Sequence, residues 1–439
     1  MLPKMRYVLA MMIAAGAASA QVRLPGLPLP SLPLPSVSQT LDQTAARSVD
    51  RLSALRRLSN ERLLRANRTT LDADPAGEPV LRDEILVYSP TDTALDRARA
   101  LGFTIDRERL IGGLQFRVVV LRAPPSMATK KALGQLRAID PDGLYDYNHV
   151  YSSGGLLGRR GPALRSETAP GESSHRESSA AGSPMPAPTS VHPRVGLIDT
   201  GLDRSHTVFR DALIRTWGCG ARTVPAPHGT AVASVLVGRS QTFQGALPVA
   251  ELFAADVYCG EPTGGAVDAL LAAFSWLVQE KVAVINVSLV GPKNALLERV
   301  IASLVAGGYT IVAAVGNDGP AAPPLYPASY PHVVGVTAVD AHRRVLLEAA
   351  RGPQVMFSAF GADMKAASLD DGFSSVRGTS FAAPIVAALL AARIDSPSSQ
   401  AAASALTQLS AAAIDLGTPG RDLTYGLGLV GADYPGVHP

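Results

Sequence analysis

Cysteine is nearly absent from this chain, with two among 439 residues, Cys219 and Cys259. Two sulfurs without a neighbouring histidine cluster argue against a zinc site and permit at most one disulfide. Charge of one sign is lacking too. Forty Lys and Arg stand against 37 Asp and Glu, a formal charge of +3, and no dense Lys/Arg run occurs. So dilute a charge predicts neither a nucleic-acid nor a membrane-surface partner. A membrane-spanning run is missing as well: the apolar run Tyr7 to Ala18 falls well short of the roughly 20 residues needed, and no later segment is longer. What is present is core material. The chain is 47% hydrophobic and 18% charged, enough for a large core and long enough for about three domains.

The N-terminus carries Lys4 and Arg6, then the apolar run, then Ala18-Ser19-Ala20 before Gln21. This three-part layout predicts a secretory signal peptide, residues 1–20, cleaved after Ala20 rather than kept as an anchor, so the mature chain is secreted or periplasmic. Export brings the two cysteines into an oxidising compartment, where Cys219 and Cys259 can pair or remain two buried thiols. Residues 21–79 open on closely spaced prolines, Leu24 to Ser36, which favour an extended spacer. Leu41, Ala45, Val49, Leu52 and Leu55 then recur at helical spacing, so the segment from Thr40 to Arg65 can form an amphipathic helix.

From 80 to 151 the pattern predicts a strand at Glu84–Ser89, a helix at Thr93–Leu101, strands at Phe103–Leu110 and Gln115–Leu121, a helix at Met127–Ile139 and a strand at Leu144–Tyr151. That βαββαβ order suits a small α+β, ferredoxin-like module. Residues 152–190 turn to Gly, Ser, Pro, Ala and charged residues with no apolar period, which predicts a flexible linker open to proteolysis. Residues 191–439 form the last domain. From Val195, apolar strands alternate with helices, and several strands are continuous apolar runs, as in a mostly parallel sheet covered by helices on both faces. The fold class is α/β.

Three segments of that last region carry chemistry. Asp199 ends the strand Val195-Gly-Leu-Ile and precedes Thr200-Gly201, at the carboxyl edge where open α/β sheets gather ligands. His228 opens His-Gly-Thr-Ala-Val-Ala, where small residues let a helix pack closely. Ser380 lies in Gly378-Thr-Ser-Phe-Ala-Ala-Pro384 at the start of an Ala-rich helix, whose proline fits only the first turn. Taken alone, each has a bland reading: a strand-end aspartate, a loop histidine, a capping serine. Together they supply a hydroxyl, a base and a carboxylate that orients the base. A fourth, Asn317 in Thr310-Ile-Val-Ala-Ala-Val-Gly-Asn-Asp-Gly, is a candidate donor to an oxyanion.

The order Asp, His, Ser with these flanks resembles the subtilisin-like serine peptidases (subtilases) over roughly residues 194–435. The resemblance implies a subtilisin-like fold and a serine endopeptidase, with catalytic Asp199, His228 and Ser380 and an oxyanion hole formed by Asn317 and the Ser380 backbone. It implies polypeptide substrates, lined by Ser288, Leu289, Val290, Gly291 and Gly316, with the 80–151 module as an inhibitory pro-domain of a zymogen. Against this stand an unrelated small binding domain at 80–151 and a catalytically silent scaffold at 191–439, although a binding role has no need of all four residues. His228 must be neutral to accept a proton, so hydrolysis falls in acid. Two departures, Val290 where the family often has glycine and Val315 where alanine is common, add bulk near subsites and predict a narrowed pocket. The family often binds calcium through an aspartate shortly after the catalytic one; Val208 stands there, and the loop Arg239 to Pro248 is short. No cofactor and no calcium site of that type are expected.

Overall fold

A computed structural model describes residues 56–111, 116–153, 156–157, 192–222 and 224–436. The predicted signal peptide, the proline-rich spacer and nearly all of the linker lie outside the described residues. Residues 56–66 form helix α1, the end of the expected amphipathic segment. Then come β1 (Leu71–Ala73), β2 (Pro79–Tyr88), α2 (Asp92–Ala100), β3 (Thr104–Ile111), β4 (Phe116–Arg122), α3 (Thr129–Ile139) and β5 (Leu144–Ser153). The four long strands are antiparallel in the order β5-β2-β4-β3, with β1 added beside β2.

The continuous apolar runs of this sheet follow from burial on both faces. Ile85, Val87, Val119 and Leu121 pack against Leu95 of α2 and Leu133 and Leu136 of α3. The alternate residues Leu86, Val118 and Val120 belong to a second core, shared with the following domain. The expected boundaries at 79/80 and 151/152 both fall inside strands. The first does so because Pro79 and Val80 pair with Ala73 and Asp72. The second does so because Ser152 and Ser153 continue β5 onto the next domain.

That domain continues with β6 (Leu156–Leu157), β7 (Arg194–Asp199), β8 (Leu213–Trp217), α4 (Pro227–Val237), β9 (Glu251–Asp256), β10 (Gly265–Ala266), α5 (Val267–Gln279), β11 (Val284–Val287), β12 (Leu289–Val290), α6 (Ala295–Ala306), β13 (Thr310–Ala314), β14 (Val334–Val339), β15 (Val355–Phe360), β16 (Met364–Ala367), β17 (Phe373–Arg377), α7 (Thr379–Ala391) and α8 (Ser399–Ala411). Its main sheet is parallel, ordered β15-β14-β13-β11-β7-β9-β8. On one face Leu197 and Val312 pack with Val232 of α4 and Val386 of α7. On the other, Ile198 and Ile311 pack with Leu270 of α5 and Val300 of α6. Strand residues therefore alternate between two buried faces, as the unbroken apolar runs implied.

Candidate active site

Asp199 is the last residue of β7 and fully buried. Its Oδ1 accepts from the Thr200 backbone N–H at 2.6 Å and faces His228 Nδ1 at 2.8 Å. The contact needs α4 to press on the end of β7. Glycine at 229 allows it, since a Cβ there would stand 2.2 Å from the Thr200 carbonyl oxygen. Thr200 Oγ1 then accepts the Gly229 N–H at 2.8 Å and ties helix to strand. With Nδ1–H directed at the carboxylate, His228 Nε2 is left as the acceptor, and it is buried with no protein partner.

Ser380 is the second residue of α7 and fully buried. Pro384 has no N–H to give the Ser380 carbonyl, four residues back. Ser288 replaces it: its hydroxyl donates to the Ser380 carbonyl at 2.9 Å and accepts from Asn286 Nδ2 at 2.9 Å. In return the Ser380 hydroxyl donates to the Ser288 carbonyl at 3.3 Å. Ser288 thus commits its side chain to the Ser380 backbone and to Asn286.

Asn317 Oδ1 accepts the Thr379 N–H at 3.0 Å; its Nδ2 is buried and has no protein partner. Thr379 Oγ1 also receives the Gly316 N–H at 3.2 Å, so the asparagine loop is pinned to the start of α7 from both sides. Gly316 has φ +100°, which favours glycine. A Cβ there would lie 2.4 Å from Leu325 Cδ1.

Leu289 and Val290 form β12, antiparallel to Ser153 and Ser152 of β5, while β10 pairs with β5 on its other side through Gly265–Tyr151 and Ala266–Val150. Gly291 pairs instead with Tyr326, its N–H reaching the Tyr326 carbonyl at 2.9 Å. Beyond β5, Leu156 and Leu157 pair with Arg377 and Val376 of β17, immediately before Gly378-Thr379-Ser380. Residues 152–153 thus pair with β12 and residues 156–157 with β17.

Several of these partners carry no motif. Thr379, Asn286, Leu325 and β10 were not singled out from the sequence. The bulk expected of Val315 has a different owner. Val315 is wholly buried, with its Cγ1 toward Gly335, whereas Leu325, 4% exposed, closes the space beside Gly316. Cys219 and Cys259 are joined, linking the segment after β8 to the turn after β9. Beside them Asp256, in register with Asp199, is held above its ordinary pKa by burial and by the Asp199 charge, against the backbone donors at Cys259 and Tyr258. Cys219, Asp256 and Cys259 have metal-like spacing, but a disulfide has no thiolate to offer. At the calcium position Val208 is 1% exposed in the apolar core, and its carbonyl accepts the Arg239 N–H at 2.8 Å. The residues present do not fit a calcium ion there.

The Peptidase_S8 (subtilase) family profile matches residues 192–428, over half of the chain. The chain belongs to the subtilase family. This subtilase is a serine-type endopeptidase. It is 29% identical over 248 residues to Subtilisin DY of Bacillus licheniformis, covering 55% of this chain and 89% of that one. It is 30% identical over 219 residues to the human membrane-bound transcription factor site-1 protease, covering 45% of this chain and 20% of that one. Among solved structures, fervidolysin of Fervidobacterium pennivorans, a keratinolytic enzyme related to subtilisin, has a TM-score of 0.63 at 18% identity, covering 83% of this chain and 62% of that one. That likeness supports the fold. No helix of the described residues is long and apolar enough to cross a membrane.

Proposed function

We propose that this subtilase is exported as a zymogen and hydrolyses polypeptides through an acyl-enzyme on Ser380. His228 Nε2 takes the Ser380 hydroxyl proton as the oxygen attacks the substrate carbonyl carbon. Asp199 holds the Nδ1–H and stabilises the imidazolium that results. The tetrahedral oxyanion is met by Asn317 Nδ2 and the Ser380 N–H at the start of α7. His228 then returns the proton to the leaving amine, and water, activated by the same imidazole, releases the acyl group. What supports these roles is the Asp199–His228 contact together with two buried nitrogens that have no protein partner, His228 Nε2 and Asn317 Nδ2.

The zymogen reading is carried by one observation: β5 of the N-terminal module lies on β12 in the pairing a substrate backbone would adopt. The module is also bound to α5 and α6. Asn148 Nδ2 reaches Asp268 at 2.8 Å, and Asp146 Oδ2 accepts the Ala295 N–H at 2.7 Å at the start of α6. Arg56 of α1 reaches Asp318, next to Asn317, at 2.9 Å. In this reading the module is the intramolecular inhibitor, and the first cut falls between Ser153 and Leu156. Leu325 narrows the space beside Gly316, so a small residue is favoured at the scissile carbonyl. Large aromatic preference at that position in a peptide library would overturn this last point. N-terminal sequencing of the secreted product tests the whole: the expected new terminus lies within residues 154–156, and a secreted protein that still begins before Tyr151 would contradict it. The signal layout of residues 1–20 and the extracellular protease of Bacillus subtilis among the relatives support export.

A further inference from the structure

Tyr151 is the large side chain of β5 that the groove encloses completely, with no exposed surface although it lies next to the strand's open end. Its backbone is held between Gly265 of β10 and the hydroxyl of Tyr258, which donates to its carbonyl at 3.0 Å. Its ring lies flat over Gly291, where a Cβ would stand 2.7–2.8 Å from three ring carbons. Its hydroxyl donates to the Pro292 carbonyl at 2.6 Å. Burial raises the phenol well above its ordinary pKa, with Tyr330 beside it adding to the shift, so it stays a donor. The Tyr330 hydroxyl is itself committed, accepting the Asn294 N–H and donating to the Asn294 carbonyl, each at 2.9 Å. The Tyr330 hydroxyl is thus held by Asn294 within the pocket wall.

We propose that this pocket selects tyrosine in polypeptide substrates, at the register position opposite Gly265 and one residue before the one facing Val290, by reading the phenolic hydroxyl through the Pro292 carbonyl. The proposal rests on β5 standing in for substrate. A slot that only sheltered a ring would take phenylalanine equally well. Here phenylalanine would cover the Pro292 carbonyl and give it no donor, the situation in which a hydroxyl-reading site rejects the analogue that lacks the group. Leucine or alanine would leave the space over Gly291 unfilled.

The test uses the enzyme that accumulates when the full chain is expressed, with internally quenched peptides of the sequence Val-Tyr-Ser-Ser-Gly-Gly-Leu-Leu. Tyrosine is replaced by phenylalanine, O-methyltyrosine, leucine or alanine. The expected kcat/KM for tyrosine exceeds that for phenylalanine by about tenfold or more, a difference of about 1.4 kcal/mol. O-methyltyrosine, which has the ring and no donor, is expected to be worse than phenylalanine. Equal rates for tyrosine and phenylalanine, or an O-methyltyrosine peptide as good as the tyrosine one, overturn the proposal and leave the peptidase reading intact. If the wild-type enzyme cuts none of the peptides and its Ser380 also fails to label with a fluorophosphonate, the peptidase reading fails and the proposal falls with it.

Discussion

Replacing Ser288 by alanine removes one hydroxyl and exposes a debt created elsewhere in the chain. The Ser380 carbonyl sits where Pro384 supplies no N–H, and Ser288 Oγ, 2.9 Å away, is its donor. Ser288→Ala leaves that buried acceptor unpaired, at about 1–3 kcal/mol. It also removes the acceptor of Asn286 Nδ2, whose own Oδ1 already has no protein partner. Pro384→Ala should be nearly silent alone, because it adds an N–H to a carbonyl that is already satisfied. In the double substitution that N–H can close the helical bond to the Ser380 carbonyl and recover part of the loss. Urea unfolding of the four proteins, all in a Ser380→Ala background to prevent self-digestion, gives the coupling directly. A favourable coupling of about 1 kcal/mol is expected for neighbours sharing one partner. Strict additivity would refute the reasoning, as would a Ser288→Ala protein as stable as its parent.

Replacing Cys219 and Cys259 together by serine opens a link between positions 40 apart, and loop-closure entropy puts the loss at about 4 kcal/mol, read as a fall in the unfolding midpoint. Asp256→Asn should stabilise the protein at pH 7. Burial and Asp199 raise the folded pKa of this carboxyl above its ordinary 3.8, so wild-type stability declines as pH rises from that value through the folded pKa. The gain of the variant should therefore vanish below about pH 3.8, and a gain that persists in acid would contradict the assignment. Because Val208 fills the expected ligand position with a buried isopropyl group, chelator should leave the melting temperature unchanged; a substantial fall reversed by calcium would show a site of that type.

What the sequence made legible was local. The βαββαβ order of the N-terminal module is written in periods of two and 3.6 residues, and its six elements stand within a few residues of their predicted bounds, apart from an earlier start to β2 at Pro79. Asp199, His228 and Ser380 stand out in the sequence because each occupies a short segment with small neighbours, such as the Gly229 that permits the approach of α4. What was not readable depends on distant partners. Ser288 and Pro384 are linked only through the Ser380 carbonyl, 92 positions from Ser288, and nothing in either segment announces it. Leu325 lies in a proline-rich loop and gains its meaning from Gly316 alone. The edge strand β8 was missed because Leu213, Arg215 and Thr216 face solvent and leave no apolar run. The short β16 and β17 are a hairpin whose polar and small residues resemble a loop.

The central claim is that Ser380, activated by His228, is the nucleophile of a self-processing peptidase. It is tested most directly by expressing the full chain as wild type and as Ser380→Ala, and exposing both to a fluorophosphonate probe. The account predicts that the wild type becomes a shorter form that labels at Ser380, while the variant remains full length and unlabelled. A Ser380→Ala chain that shortens itself at the same rate in purified form, or a processed wild type whose Ser380 takes no label, would contradict it.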